Sequence, residues 1–143
     1  LQFHIEASYI DRDSGDYLKS LETINLAYSK NPSNPAVAYS LIDSLMILDL
    51  PSEAKKIIGG FDIDTKVGPK FHKTLADIEF SLGNPELSKI SMAEYFYELG
   101  YLDKAIAQLR VATTTGELSN YHRLKATARL QQLEKELTSR IDR

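Results

Sequence analysis

The spacing of three glycines constrains the fold of this chain more than any other sequence feature. The interval from Gly15 to Gly83 is four times the interval from Gly83 to Gly100. The longer interval equals two periods of about 34 residues, a length typical of repeats in which each unit is a pair of helices that buries its apolar face against the next pair. The shorter interval is half a period, so it predicts one helix that belongs to two successive hairpins.

Residues 14–35 show the pattern of one repeat most clearly. Gly15-Asp16-Tyr17 predicts a turn, Asn31-Pro32 ends the helix that follows, and Asn34-Pro35 begins the next helix with Asn as the N-cap. The apolar residues between these signals fall on one helical face: Leu18, Leu21, Ile24, Ala27 and Tyr28. Helix, glycine turn, helix and Asn-Pro turn form the pattern of tetratricopeptide repeats.

The rest of the chain continues this pattern and predicts a single all-α domain over residues 1–143. The predicted elements are helix pairs at about 1–30, 35–60 and 69–99, a helix 85–99 shared with 102–115, and a cap at 118–140. Gly59-Gly60 should end a helix, residues 61–68 form an irregular connector, and Asn84 should act as an N-cap. The predicted fold is a tetratricopeptide-type helical-hairpin solenoid of about eight helices with a long C-terminal capping helix.

Two helices carry specific expectations about burial. Helix 85–99 has apolar residues nearly all round, as expected for a helix between two neighbours: Leu87, Ile90, Met92, Ala93, Tyr95, Phe96, Tyr97 and Leu99. The last helix has an apolar stripe that should cover the preceding pair: Tyr121, Leu124, Ala128, Leu130, Leu133 and Leu137. Because the chain begins LQFHIEASYI, without an initiator Met, we expect it to be a fragment of a longer protein.

No arrangement of residues in the sequence predicts catalysis, a metal site or a cofactor. The chain has no cysteine, and its histidines, His4, His72 and His122, lack a partner at metal-ligand spacing. Asp11, Asp13 and Asp16 lack the glycine and glutamate of a calcium loop, so turn and capping roles explain them. Asp62 and Asp64 have no positioned partner, and no phosphate-loop Lys follows Gly59-Gly60.

Charge and hydropathy exclude two classes of partner. The net charge of −3 gives no general attraction to nucleic acid, and no stretch reaches the roughly 20 apolar residues that span a bilayer. The segment 110–143 carries seven bases against four acids. That excess suggests either an ordinary solvated basic helix or a weak electrostatic docking face. The expected partner is a protein or peptide.

In helical-hairpin solenoids the first helix of each pair lines the concave face, which predicts a binding surface. The candidate residues are Tyr9, Arg12, Tyr39, Asp43, Lys73, Asp77, Glu94 and Tyr97, with Ile5, Met46, Phe80 and Ile90 at neighbouring positions. A tyrosine-rich surface of mixed charge suits an extended or helical peptide. Alternatively, Phe80 and Tyr97 pack against adjacent helices. Lys73 and Arg12 lie among acids, which argues against a basic clamp for carboxylates.

Residues 83–137 resemble the end of the BepA-like periplasmic metalloproteases, in which a C-terminal tetratricopeptide domain follows a zinc peptidase domain. The resemblance lies in Ala93-Glu94-Tyr95 before Gly100, in the LDKAIAQL helix at 102–109, and in the A-x-x-R-L-x-x-L pattern of the final helix, with Arg129. Residues 1–82 match only as generic repeats.

The resemblance implies that this chain is the repeat domain of such a protease. In that family the domain docks the enzyme on the outer-membrane protein assembly machinery and helps present misassembled outer-membrane proteins. Zinc would be held only by the separate peptidase domain, and the location would be periplasmic. The alternative is a tetratricopeptide adaptor or co-chaperone unrelated to proteolysis, which could be cytoplasmic.

Overall fold

The structure is a computed structural model that describes residues 14–142, and the predicted all-α class is confirmed over those residues. They form seven α-helices and no β-strand. The helices are α1 (Ser14–Lys30), α2 (Pro35–Ile47), α3 (Pro51–Gly59), α4 (Pro69–Ser81), α5 (Pro85–Glu98), α6 (Leu102–Thr114) and α7 (Asn120–Ile141). The helix expected before residue 14 lies outside the described residues.

The first unit ends at Thr65 and contains α1, α2 and α3. Helix α2 packs against both α1 and α3, and its fully buried side chains include Leu41, Ile42 and Leu45. Asn34 caps α2 as predicted, because its Oδ1 accepts hydrogen bonds from the backbone N–H groups of Ala36 and Val37. The predicted turn at Gly15 is instead part of the first turn of α1.

The second unit begins at Lys66 and contains α4 to α7, and within it each helix packs against the next one along the chain. Its core joins α5, α6 and α7 through Ala93, Leu102, Ala105, Ile106, Leu109, Ala126 and Leu133. Helix α5 therefore packs against α4 on one side and α6 on the other.

The burial of α5 differs in detail from the sequence expectation. Its buried residues are the small ones, Ser88, Ser91 and Ala93, whereas Phe96 and Tyr97 are only partly buried and Leu99 is exposed. Small side chains let the neighbouring helix backbones approach closely, and the Ser88 hydroxyl donates to the Ala76 carbonyl of α4 at 2.7 Å. The larger residues pack around the edges of these close contacts.

The stripe predicted on α7 is partly wrong. Ala126 and Leu133 are buried, and Leu130 and Leu137 pack against the same core, but Tyr121, Leu124 and Ala128 are exposed. The buried residues recur at intervals of four, three and four, which is the spacing of one helical face. More apolar residues were available than α6 could cover, so one group remains on the opposite side.

Candidate functional site

One face of α4 presents a row of three exposed side chains, Lys73, Asp77 and Phe80, hereafter the α4 row. Their spacing of four and three residues places them on the same helical face. The Lys73 ammonium lies 2.6 Å from a carboxylate oxygen of Asp77, and both side chains are about half exposed. The Phe80 side chain is 69% exposed. The row therefore offers a hydrophobic ring beside an accessible charge pair.

The rotation of α4 about its own axis is set by contacts on its other faces. Phe71 and Ile78 are buried, and Glu79 is only 4% exposed. The buried Glu79 carboxylate accepts a hydrogen bond from the Asn84 side-chain amide at 2.8 Å. Asn84 occupies the predicted N-cap position of α5, but its side chain makes no capping hydrogen bond and instead donates to the buried Glu79. These contacts leave the α4 row as the solvent-facing side.

A second group of polar side chains connects α5 to α7, hereafter the α5–α7 cluster: Glu94, Tyr97, Arg129 and Glu136. Arg129 donates two hydrogen bonds to the Glu94 carboxylate, at 2.7 and 3.1 Å, and its guanidinium lies 4.6 Å from the centre of the Tyr97 ring. The Tyr97 hydroxyl donates to Glu136 at 3.1 Å. Each of these polar groups thus finds its partner within the chain.

Two pKa shifts follow from this packing. Hydrogen bonding to the Glu94 carboxylate raises the pKa of the Arg129 guanidinium, so that group stays charged. Burial lowers the pKa of His72 on α4, and the Arg129 charge acts in the same direction. The carboxylates of Glu94 and Glu98 oppose that shift. His72 therefore favours its neutral form in the folded protein.

In the first unit, the predicted residues on α2 lie one turn apart. Tyr39 is partly buried, and its ring meets Phe61 edge to face at a centroid distance of 5.2 Å. Burial raises the pKa of Tyr39, so its hydroxyl stays protonated near neutral pH. Asp43 is exposed. This side of α2 thus combines an anchored aromatic ring with a solvent-exposed carboxylate.

The eight predicted contact residues divide into three groups. Tyr9 and Arg12, together with Ile5, lie outside the described residues. Tyr39, Asp43, Lys73 and Asp77 keep solvent-accessible surface, whereas Glu94 and Tyr97 are held by Arg129 and Glu136. Phe80 and Tyr97 were predicted either to meet a partner or to pack against adjacent helices. Tyr97 packs against an adjacent helix, and Phe80 is exposed.

The role of α7 in this region could not be predicted from local sequence patterns. Arg129 and Glu136 are seven residues apart, which places them on one face of a helix, but nothing local indicates that this face meets α5. Arg129 and Glu136 reach Glu94 and Tyr97 only because α7 folds back against the preceding helices. The sequence singled out Arg129 only as part of the A-x-x-R-L-x-x-L pattern of the final helix.

Within residues 14–142, no group of three or more His, Asp or Glu side chains is arranged to hold a metal ion. Over the same residues, no helix is both long and apolar enough to cross a bilayer. No protein-family model matches the chain, and the comparison with curated proteins found no significant match. Function is therefore inferred from the surfaces themselves.

Proposed function

We propose that this chain is a protein-protein interaction module that binds peptide segments through the exposed face of α4. The α4 row is the observation that carries the proposal. An exposed aromatic ring supplies contact area, and charged neighbours supply orientation, a combination common in protein interfaces. The Lys73–Asp77 pair is accessible on both sides, so its internal attraction is worth no more than about 1 kcal/mol and a partner's charges can replace it.

The α5–α7 cluster has a supporting role in this proposal. Its carboxylates and guanidinium already pair with one another and are about one-quarter exposed in the Glu94–Arg129 bridge. Breaking such a pair to bind a partner leaves a partly buried charge without its counterpart. The cluster therefore stabilises the packing of α5 and α7 and is not the main contact surface.

We further propose that the module belongs to a parent zinc metalloprotease of the BepA-like type. The support is the sequence pattern of residues 83–137 together with the packing of α5 against both α4 and α6. In that proposal the chain itself performs no chemistry and holds no cofactor, zinc belongs to a separate peptidase domain, and the site of action is the periplasm. Its partners would be the outer-membrane assembly machinery, its substrates and its own peptidase domain.

A peptide selection tests the interaction proposal. A displayed library of peptides of about 12 residues is selected against the chain, and the enriched peptides are titrated with Phe80→Ala and Lys73→Ala variants. Loss of one exposed aromatic anchor should weaken binding about tenfold or more. Leu26→Ala, at a leucine that is 63% exposed on α1, is the matched control. Enriched peptides that bind both α4 variants normally would exclude the α4 row.

The parent protein is tested separately, by reading the gene upstream of the codon for Leu1. A secretion signal followed by an H-E-x-x-H motif in the same frame supports the protease proposal. Their absence favours the alternative, an adaptor or co-chaperone unrelated to proteolysis and active in the cytoplasm. Either result leaves the peptide-binding test of the α4 row unaffected.

A further inference from the structure

The side of α7 opposite its buried face carries an exposed strip of apolar and basic residues, hereafter the outer α7 face: Tyr121, Leu124, Lys125, Ala128 and Lys135. All five side chains are exposed. Tyr121 is 64% and Leu124 is 72% exposed. The apolar members recur after three and four residues, which is the register that a docked helix contacts.

This strip is not needed to hold α7 in place. Helix α7 already packs on α6 through Ala126, Leu130, Leu133 and Leu137. Its N-terminal half is further attached by Arg123, whose guanidinium donates to the carbonyl oxygens of Thr113 and Thr115 at the end of α6. The outer α7 face therefore retains large apolar side chains that make no contribution to this packing.

Both charged residues of the outer α7 face are lysines, and the two acids within α7 pair with arginines. Glu134 faces Arg110 of α6 at 3.8 Å, and Glu136 pairs with Arg140 at 2.8 Å. The Lys125 ammonium lies over the Tyr121 ring at 5.2 Å. Neither Lys125 nor Lys135 has a carboxylate partner among residues 14–142. Two lysines thus flank the apolar strip without a counter-charge.

We propose that the outer α7 face is a second docking surface and that its occupant is an acidic amphipathic helix of a partner protein. Leucine-type side chains of such a helix would cover Tyr121, Leu124 and Ala128. Its flanking Asp or Glu residues would pair with Lys125 and Lys135. This surface is separate from the α4 row and does not depend on peptide binding there.

Two other occupants fit the same surface less well. A second copy of the chain, related by two-fold symmetry, would bring the two lysines close to the same lysines, and like charges oppose association. An anionic membrane would require a broad apolar face, whereas this strip has two large apolar side chains. A narrow apolar strip with Lys125 beside it and Lys135 beyond its C-terminal end suits one helix.

The test uses the whole chain, labelled with ¹⁵N, and two designed peptides of about 18 residues, long enough to form a helix. Both peptides carry leucines at positions i, i+3, i+4 and i+7; one has glutamates beside this stripe and the other has lysines. We expect the acidic peptide to shift the amide signals of residues 121–135 and to bind at least about threefold more tightly than the basic one.

Variants of the outer α7 face separate the contribution of its apolar side chains from that of its lysine charges. Leu124→Glu should weaken binding of the acidic peptide about tenfold, while a Lys125→Glu and Lys135→Glu double variant should reverse the preference toward the basic peptide. The matched controls lie on α1: Leu26→Glu for the exposed leucine, and Lys19→Glu with Lys30→Glu for the same change in net charge. All of these positions are exposed, so the fold should persist.

Four results would overturn the proposal. Three of them come from the peptide experiments: an absence of shifts on α7 at about 1 mM acidic peptide, shifts confined to another helix, and equal effects of the α1 and α7 charge variants. The fourth is a different occupant. The chain could sediment with vesicles made of equal parts of phosphatidylglycerol and phosphatidylcholine. If Leu124→Glu abolished that sedimentation, the occupant would be a membrane surface. A dimer in light scattering that Leu124→Glu dissociates would identify a second copy.

Discussion

At the scale of single residues, three helix ends adopt the same turn. Asp49, Gly83 and Gly100 each have a positive φ, of 57°, 81° and 87°. In each turn the next residue donates its N–H to a carbonyl five residues back: Leu50 to Leu45, Asn84 to Glu79, and Tyr101 to Phe96. Asp49 lies 34 residues before Gly83, an interval equal to the repeat period predicted from the glycine spacing, and it adopts the same left-handed conformation as that glycine.

The first prediction concerns this aspartate. Asp49→Gly should raise the free energy of unfolding by about 1 kcal/mol, because a left-handed conformation strains a residue with a Cβ and does not strain glycine. Gly83→Ala should lower it by a similar amount. No atom lies within 4 Å of a Cβ built at Gly83, so that change reports backbone conformation and not a collision. Urea unfolding measures both, and destabilisation by Asp49→Gly would contradict the argument.

The second prediction concerns pH and His72. Burial lowers its pKa in the folded protein below the ordinary value of 6.5, whereas the unfolded chain keeps that value. The unfolded state therefore binds the proton first, and the stability present above pH 6.5 is lost progressively as the pH falls below it. Urea unfolding at about pH 7.5 and 5.5 should show this decline, and His72→Gln should reduce it.

A direct measurement accompanies the pH prediction. NMR titration of the His72 ring should give a pKa below 6.5. Glu98→Gln should lower the pKa of His72 further, because the Glu98 carboxylate favours the charged imidazole. A value above 6.5 in the unmodified chain would show that the carboxylates outweigh burial.

At the scale of helices, α5 and α7 show how two elements that are not neighbours in sequence become fastened. The Glu94 carboxylate on α5 receives both hydrogen bonds from Arg129 on α7, and Gln132 accepts another from the same guanidinium at 2.7 Å. The planar guanidinium also stacks on Tyr97. One arginine thus links α7 directly to α5.

The third prediction measures this attachment. Arg129→Ala should destabilise the protein by about 1–2 kcal/mol, a value that allows for the solvent exposure of one-quarter of each side chain. A double-mutant cycle with Glu94→Ala should give a coupling energy of about 1 kcal/mol. Arg110→Ala is the control, since its pair with Glu134 spans 3.8 Å and is exposed on both sides; its effect should stay within about 0.5 kcal/mol. Equal losses for the two arginines would contradict a special role for Arg129.

At the scale of the whole molecule, α7 completes the hydrophobic core of the second unit and leaves its other side free. Leu133 is fully buried and Leu124 is 72% exposed, although both are leucines of the same helix. This contrast separates what α7 contributes to stability from what it offers to a partner.

The fourth prediction uses that pair of leucines. Leu133→Ala should destabilise the protein by about 2–4 kcal/mol, because it removes buried methyl groups and leaves a cavity between α6 and α7. Leu124→Ala should change the unfolding free energy by less than about 0.5 kcal/mol. Urea unfolding of both variants provides the comparison. Similar losses for the two would show that the outer α7 face is covered within the protein itself.

Local sequence patterns were sufficient to predict the all-α class, the irregular connector at 61–68 and the Asn34 cap of α2, because each depends on chemistry within a few residues. From the spacing of Gly83 and Gly100 the sequence also predicted a helix between two turns, and α5 packs against both α4 and α6. It missed the turn at Asp49, since aspartate enters the left-handed region less often than glycine and gives a weaker signal.

The side of each helix that faces its neighbours depends on packing between distant segments, which local patterns do not show. Helix α7 has more apolar residues than one face holds, so its own sequence does not distinguish Leu133 from Leu124 as the buried one. Likewise, Glu94 and Tyr97 were predicted to meet a partner, but α7 lies against α5 and supplies Arg129 and Glu136 to them. Helix formation is local, whereas the rotation of a helix about its axis is set by residues far away in the chain.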